Sequence, residues 1–122
     1  MSDDSSVILT KNIILSFPQA VSKDEFVGKI KEMAENLVTF LKDKGYSQLG
    51  HIKFISTTNG EDYLQLSVLD VDQAPKIDGL LRKTFEKIKL TLNVIVFGVK
   101  KEDINQKILE EISNLENYFH TS

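Results

Sequence analysis

Cysteine and tryptophan are absent from this 122-residue chain, and histidine and proline occur only twice each. Without cysteine there is no disulfide framework, no thiolate zinc or iron–sulfur site and no thiol nucleophile. A basic excess is also missing: 15 basic residues face 18 acidic ones, for a formal charge of −3. That balance argues against a dedicated nucleic-acid binder. Long hydrophobic runs are lacking too. The first apolar stretch, Val7 to Leu9, is far too short for a signal-peptide core, and nothing approaches a membrane span. The expected address is the cytoplasm, with no membrane partner. Neither G-x-x-x-x-G-K-[ST] nor G-x-G-x-x-G occurs, which excludes a standard phosphate loop. No serine sits at a recognisable nucleophile elbow, so no enzymatic reaction and no cofactor are expected.

What is present is ordinary globular composition, 41% hydrophobic and 27% charged, at a length that suits one domain. The polar segment 1–6 reads as a frayed terminus, 7–119 as a single α+β domain and 120–122 as a tail. Val7 to Phe17 is rich in β-branched residues and predicts a strand that Pro18 ends. Ser22 and Glu25 form a capping-box pair ahead of Phe26, Ile30, Met33, Ala34, Leu37 and Leu41, which trace one helical face. Gly45 suits a left-handed helix end. Leu49–Thr57 and Tyr63–Leu69 predict a hairpin. A loop of Thr58 to Gly60, pairing Phe54 with Leu64 and Ile52 with Leu66, keeps the apolar residues on one face.

Asp70 to Lys87 is ambiguous between helical and extended spacing, and a loop with a turn or two of helix is expected there. Ile88 to Phe97 alternates as a long strand, and a helix follows from about Glu102 to Tyr118. Its apolar face holds Ile104, Ile108, Leu109, Ile112, Leu115 and Phe119. The order β-α-β-β-β-α implies a two-layer α+β sandwich. Two helices cover one face of a four-stranded, mostly antiparallel sheet. A helix in the ambiguous segment would make it a ferredoxin-like β-α-β-β-α-β variant.

The other face of that sheet is the candidate binding surface. It carries His51, Lys53, Tyr63 and Asn93, with Gln65, Ser67 and Thr91 beside them. Interleaved are the apolar residues Ile55, Leu69, Ile95 and Phe97. If these cluster in the open, they mark a partner surface or a homodimer face. The plainer alternative is that the last helix or the 70–87 segment covers them.

His51 is the only histidine within a predicted element, and a hydrogen-bonded surface role suits it better than catalysis. Paired with Asn93, it would orient a partner group or simply fix strand register. Asp70 and Asp72 lack EF-hand spacing, so a solvated loop is expected and no metal site. Lys83, Lys87, Lys89, Lys100 and Lys101 form a modest basic grouping expected near one sheet end.

One pattern is more specific. It runs from Phe26 through Gly50-His51-Ile52-Lys53, Leu66-Ser67-Val68 and Leu90-Thr91-Leu92-Asn93-Val94 to the helix at Glu102. It resembles the segment that follows the GTPase domain in some CobW-type proteins, which are metal- and cobalamin-associated P-loop GTPases. In those, a helix leads to an "(I/L)-(G/A)-H-(I/L)-K" strand, and a later strand carries "L-x-x-N-x-x-V". Leu49 to Lys53, then Leu90, Asn93 and Val96, match these patterns, and the likeness spans about Ser22 to Ile112. The chain has neither a phosphate loop nor a cysteine-containing metal motif, so GTP hydrolysis does not carry over. The resemblance implies a stand-alone accessory domain acting beside a CobW-type GTPase or a corrinoid system.

Three functions follow as expectations. The first is a non-catalytic cytoplasmic binding domain that engages itself or a protein partner through the uncovered sheet face. The second is a small-molecule or metal-ion binding domain built on His51, which needs a carboxylate within ligand distance. The third, RNA binding, has only Tyr63 and Phe97 as aromatics on the face and ranks last, so no nucleic-acid partner is expected.

Overall fold

The computed structural model describes residues 6–45 and 49–121. The elements are β1 (Ser6–Ser22), α1 (Lys23–Asp43), β2 (Leu49–Thr57), β3 (Tyr63–Val68), β4 (Lys76–Leu80), β5 (Thr84–Phe97) and α2 (Lys101–Thr121). The five strands form one sheet in the order β1-β5-β2-β3-β4, with every neighbouring pair antiparallel. The expected α+β class holds, but the sheet has five strands rather than four. The extra strand is β4, in the segment expected to be a loop with some helix. All five of its residues are exposed. An edge strand with no buried side leaves no apolar alternation to read; its pairing with β3 sets its conformation. With a strand there, the ferredoxin-like variant is excluded.

The core lies between the sheet and the two helices. Ile52, Phe54, Leu66, Ile88, Leu90, Val94 and Val96 are fully buried, and they meet Phe26, Ile30, Ala34 and Leu37 of α1 with Ile104 and Ile108 of α2. The buried residues of α1 are the six that the sequence spacing selects. On α2 the spacing holds except at Leu109, which is half exposed. Ser22 caps α1 by accepting the Glu25 N–H at 3.1 Å, but the Glu25 carboxylate accepts from the Tyr118 hydroxyl at 2.7 Å. The side chain expected to complete a capping box instead ties α1 to α2. Gly45 ends α1 at φ 85°, donating to the Lys42 carbonyl. His120, expected in a tail, belongs to the last turn of α2, and its Nε2 lies 3.2 Å from the Ser16 carbonyl. Ser6 already pairs with Phe97, so of the expected frayed segment only 1–5 lies outside the described residues.

Three irregularities tune the sheet. Pro18 does not end β1. The register against β5 jumps between Ser16 and Val21, and the extra residues form a bulge where a missing N–H costs no ladder bond. Beside it Phe17 packs edge-on to Phe119, with ring centroids 4.9 Å apart, and Phe85 packs edge-on to Phe26, closing that end of the core.

The β2–β3 hairpin pairs Phe54 with Leu66 and Ile52 with Val68, two residues beyond the expected register. A two-residue slip preserves every side chain's face, so the expected core set stands while the loop lengthens to Thr58–Asp62. Asp62 holds that loop: its carboxylate accepts from the Thr58 N–H (3.0 Å), the Thr58 hydroxyl (2.7 Å) and the Arg82 N–H (3.2 Å). Burial pushes this carboxyl up, but the Thr58, Arg82 and Asn59 hydrogen bonds outweigh it and hold it down at about 2.

The third irregularity lies at Gly50. Leu49 pairs with Val96 and His51 with Ile95, so β2 has one residue more than β5 at this point. A Cβ on Gly50 would stand 2.7 Å from both the Ile95 carbonyl oxygen and its Cγ2 methyl. Only glycine fits. The bulge lets Leu49 and Ile52, three residues apart, both pack on the core side.

Candidate open-face interface

Both helices lie on one side of the sheet, and its opposite side is uncovered among the described residues. On the central strands the side chains pointing that way, Ile55, Thr91, Asn93 and Ile95, are only partly buried, whereas their core-side neighbours Phe54, Leu90, Leu92 and Val94 are at most 2% exposed. The expected covering by α2 or by the 70–87 segment does not occur. Residues 76–80 extend the sheet instead, and α2 packs on the core side.

Strand register arranges this face in rows. Ile8, Ile95 and His51 form the first; Thr10, Asn93, Lys53, Ser67 and Lys76 the second. Asn12, Thr91, Ile55, Gln65 and Asp78 follow, and Ile14, Lys89 and Thr57 lie at the far end, where Tyr63 sits opposite Leu80. The face is therefore not one cluster. Its apolar end groups Ile8 and Ile95 with Phe97, while Leu69, one residue past β3, lies on the other side of His51. Ile8 is 63% exposed and Phe97 37%. Tyr63 is six residues along the hairpin from His51, about 20 Å away, so it is no partner of the imidazole. Ile8 and Ile14 are absent from the sequence-derived face. β1 is apolar on both sides, and only its phase against Leu9 and Leu15 assigns them to the open one.

The polar middle has a structural task. The Thr10 hydroxyl donates to Asn93 Oδ1 at 2.9 Å, and the Thr91 hydroxyl donates to Asn12 Oδ1 at 2.8 Å. These reciprocal bonds cross between β1 and β5 and fix their register. Asn93 therefore serves the sheet and does not pair with His51, whose cross-strand neighbour is Ile95. Beside them the Gln65 amide donates to the Ser67 hydroxyl at 3.1 Å.

Partial burial, and secondarily the Lys53 ammonium two residues on, lower the His51 pKa, which keeps the ring neutral at pH 7. A neutral imidazole can ligate a metal, but no group of three or more His, Cys, Asp or Glu converges among the described residues. Asp70 accepts the Asp72 N–H at 3.0 Å, and Asp72 pairs with Lys42 at 3.2 Å, so both carboxylates serve their own loop and α1. The basic grouping also divides. Lys83 precedes β5 and Lys100 follows it, with the 14 residues of the strand between them.

No helix of the described residues is long and apolar enough to cross a membrane. No protein-family model matches the chain, and neither does any curated protein. Among solved structures, the Zn(II)-bound YjiA GTPase from E. coli matches at 15% identity and a TM-score of 0.40. A Zn(II)-bound triple mutant of YjiA matches at 15% identity and a TM-score of 0.41. Each match covers 83% of this chain and 29% of the other, so the chain spans less than a third of that GTPase's length. YjiA is a CobW-type GTPase.

Proposed function

We propose that this chain is a non-catalytic accessory domain that engages a protein, another copy or a different one, through the open face of its sheet. The observation that carries the reading is the uncovered apolar end of that face. Three large apolar residues, Ile8, Ile95 and Phe97, neighbour one another there without a second layer over them among the described residues, and Leu69 lies beyond His51 on the next strand. Contiguous apolar surface of this kind is characteristic of an interaction site. Gly50, Asn93 and the Thr–Asn bonds hold the strands beneath it in a fixed register, so the surface is preformed. The Gly50-His51-Ile52-Lys53 match supports a cytoplasmic setting beside a CobW-type GTPase or a corrinoid system. The glycine of that motif also has a purely local cause, the close approach of Ile95. The protein-binding reading is favoured over a metal or small-molecule site on His51, because no group of three or more His, Cys, Asp or Glu converges there among the described residues.

The reading is tested by Ile95→Lys, which places a charge in the middle of the apolar end. Solution mass by light scattering and recovery of bound protein from extract are compared with wild type, with circular dichroism as the folding control. Loss of association in a folded variant is the expected result. Unchanged association in both assays contradicts it.

A further inference from the structure

The open face is basic although the chain as a whole is acidic. Lys53, Lys76, Lys87 and Lys89 extend from it, against Asp78 and, at the bulged end of β5, Glu86. None of the four lysines is in an ion pair among the described residues. On the helices Lys29 pairs with Glu32, Lys42 with Asp72, and Lys107 with Glu110 and Glu111, while Lys23, Lys31 and Lys101 are in no ion pair among the described residues. Lys53 adjoins Ile95 and His51, and Lys76 lies in the same cross-strand row as Lys53. Lys53 and Lys76 thus border the apolar end of the face, and Lys87 and Lys89 extend from its far end, none of them in an ion pair among the described residues.

Resting on the reading that this face binds protein, we propose that its occupant is an acidic, aliphatic surface or segment of a different protein rather than a second copy of this chain. Face-to-face pairing of two copies would bring lysines of the same sign together, and like-charge juxtaposition suppresses such a partner. An acidic partner instead gains complementary potential beside the apolar end that it desolvates, and electrostatic complementarity of this kind confers specificity. The aliphatic residues of the face also favour protein over single-stranded RNA. Ile8, Ile55 and Ile95 occupy positions where a base-stacking platform needs aromatic rings, while Phe97 and Tyr63 stand near opposite ends of the face.

The test uses the isotope-labelled full chain and two short synthetic peptides, one of Glu and Leu and its twin with Lys in place of Glu. Amide shifts at Ile8, Lys53, Lys89 and Ile95 are expected to move with the acidic peptide and not with the basic one. The affinity should fall about tenfold in the K53E/K89E double variant, and similarly when salt is raised well above the physiological range. K89E alone, at an exposed position, guards against misfolding of the double variant. The proposal is overturned if the acidic peptide leaves these amides unmoved, if its shifts map to the helices, or if a short oligouridylate moves them as strongly. A dimer that Ile95→Lys converts to monomer would preserve the protein-binding reading and overturn the choice of partner. A silent face together with unchanged association in Ile95→Lys would overturn both.

Discussion

The same strands build both faces of this sheet, yet the two faces solve different problems. Along β5, Ile88, Leu90, Leu92, Val94 and Val96 are at most 2% exposed beneath the helices. The alternate residues Lys89, Thr91, Asn93, Ile95 and Phe97 mix charge, hydrogen bonding and apolar surface in the open. One face is selected for burial, and it is uniformly aliphatic along this strand because stabilisation there grows with the apolar area removed from water. The other face is varied, with register bonds in its middle, an apolar end and unpaired lysines. The difference shows where stability and recognition reside. Substitutions on the covered face should unfold the protein, and those on the open face should leave it folded but alter what it touches.

The largest effect is expected on the covered side. Phe54 is fully buried between the strands and helices, and Phe54→Ala should cost about 3–5 kcal/mol in denaturant unfolding. Gly50→Ala, where the faces are coupled through the bulge, should cost about 1–3 kcal/mol because the new Cβ meets the Ile95 backbone. Amide shifts at Leu49 and Ile95 would report the displaced register.

Asp62→Asn removes a carboxylate that satisfies three donors of the hairpin and the β4–β5 turn, and should cost about 1–2 kcal/mol near neutral pH. Its folded pKa, about 2, is depressed, so this stabilisation is complete above the unfolded carboxylate range. It fades as pH falls toward 2, and wild type and variant should converge there. Smallest is Ile8→Thr on the open face, expected to change stability by less than about 0.5 kcal/mol because the residue is already 63% exposed. A large loss there would mean the open face contributes to folding and would blur the distinction. The His51 imidazole offers a finer probe: its NMR titration midpoint should lie below the ordinary histidine value and move partway back in Lys53→Met.

How much of this was legible in the sequence follows the same division. Wherever one side of an element is buried, periodicity reveals it: the six buried residues of α1 and the alternation in β5 read directly. Burial fixes side-chain parity but not the number of loop residues. The hairpin was therefore assigned to the right face and the wrong register, with Asp62 supplying the missing constraint through hydrogen bonds that spacing does not display. β4 was illegible because nothing in it is buried. Its extended form depends on pairing with β3, and Ile77 and Leu80 together with Leu81, just past the strand, imitate helical spacing.

For the site, Ile55, Ile95 and Phe97 could be placed on the open face from alternation. Ile8 and Ile14 could not, since the first strand is apolar on both sides. The pairing of His51 with Asn93 that the shared face allows does not form for a geometric reason: sharing a face does not mean sharing a row. Gly50 was noticed as part of a motif, but its cause, the Ile95 carbonyl opposite, became visible only with the strands paired.

The most direct measurement places a photo-activatable diazirine side chain at Ile95 on the open face and, as the matched control, at the half-exposed Leu109 of α2. Both variants are irradiated in cell extract and with purified chain. The account predicts a discrete protein adduct from position 95 that position 109 does not give. Equal labelling from both positions, or none from position 95, would contradict it.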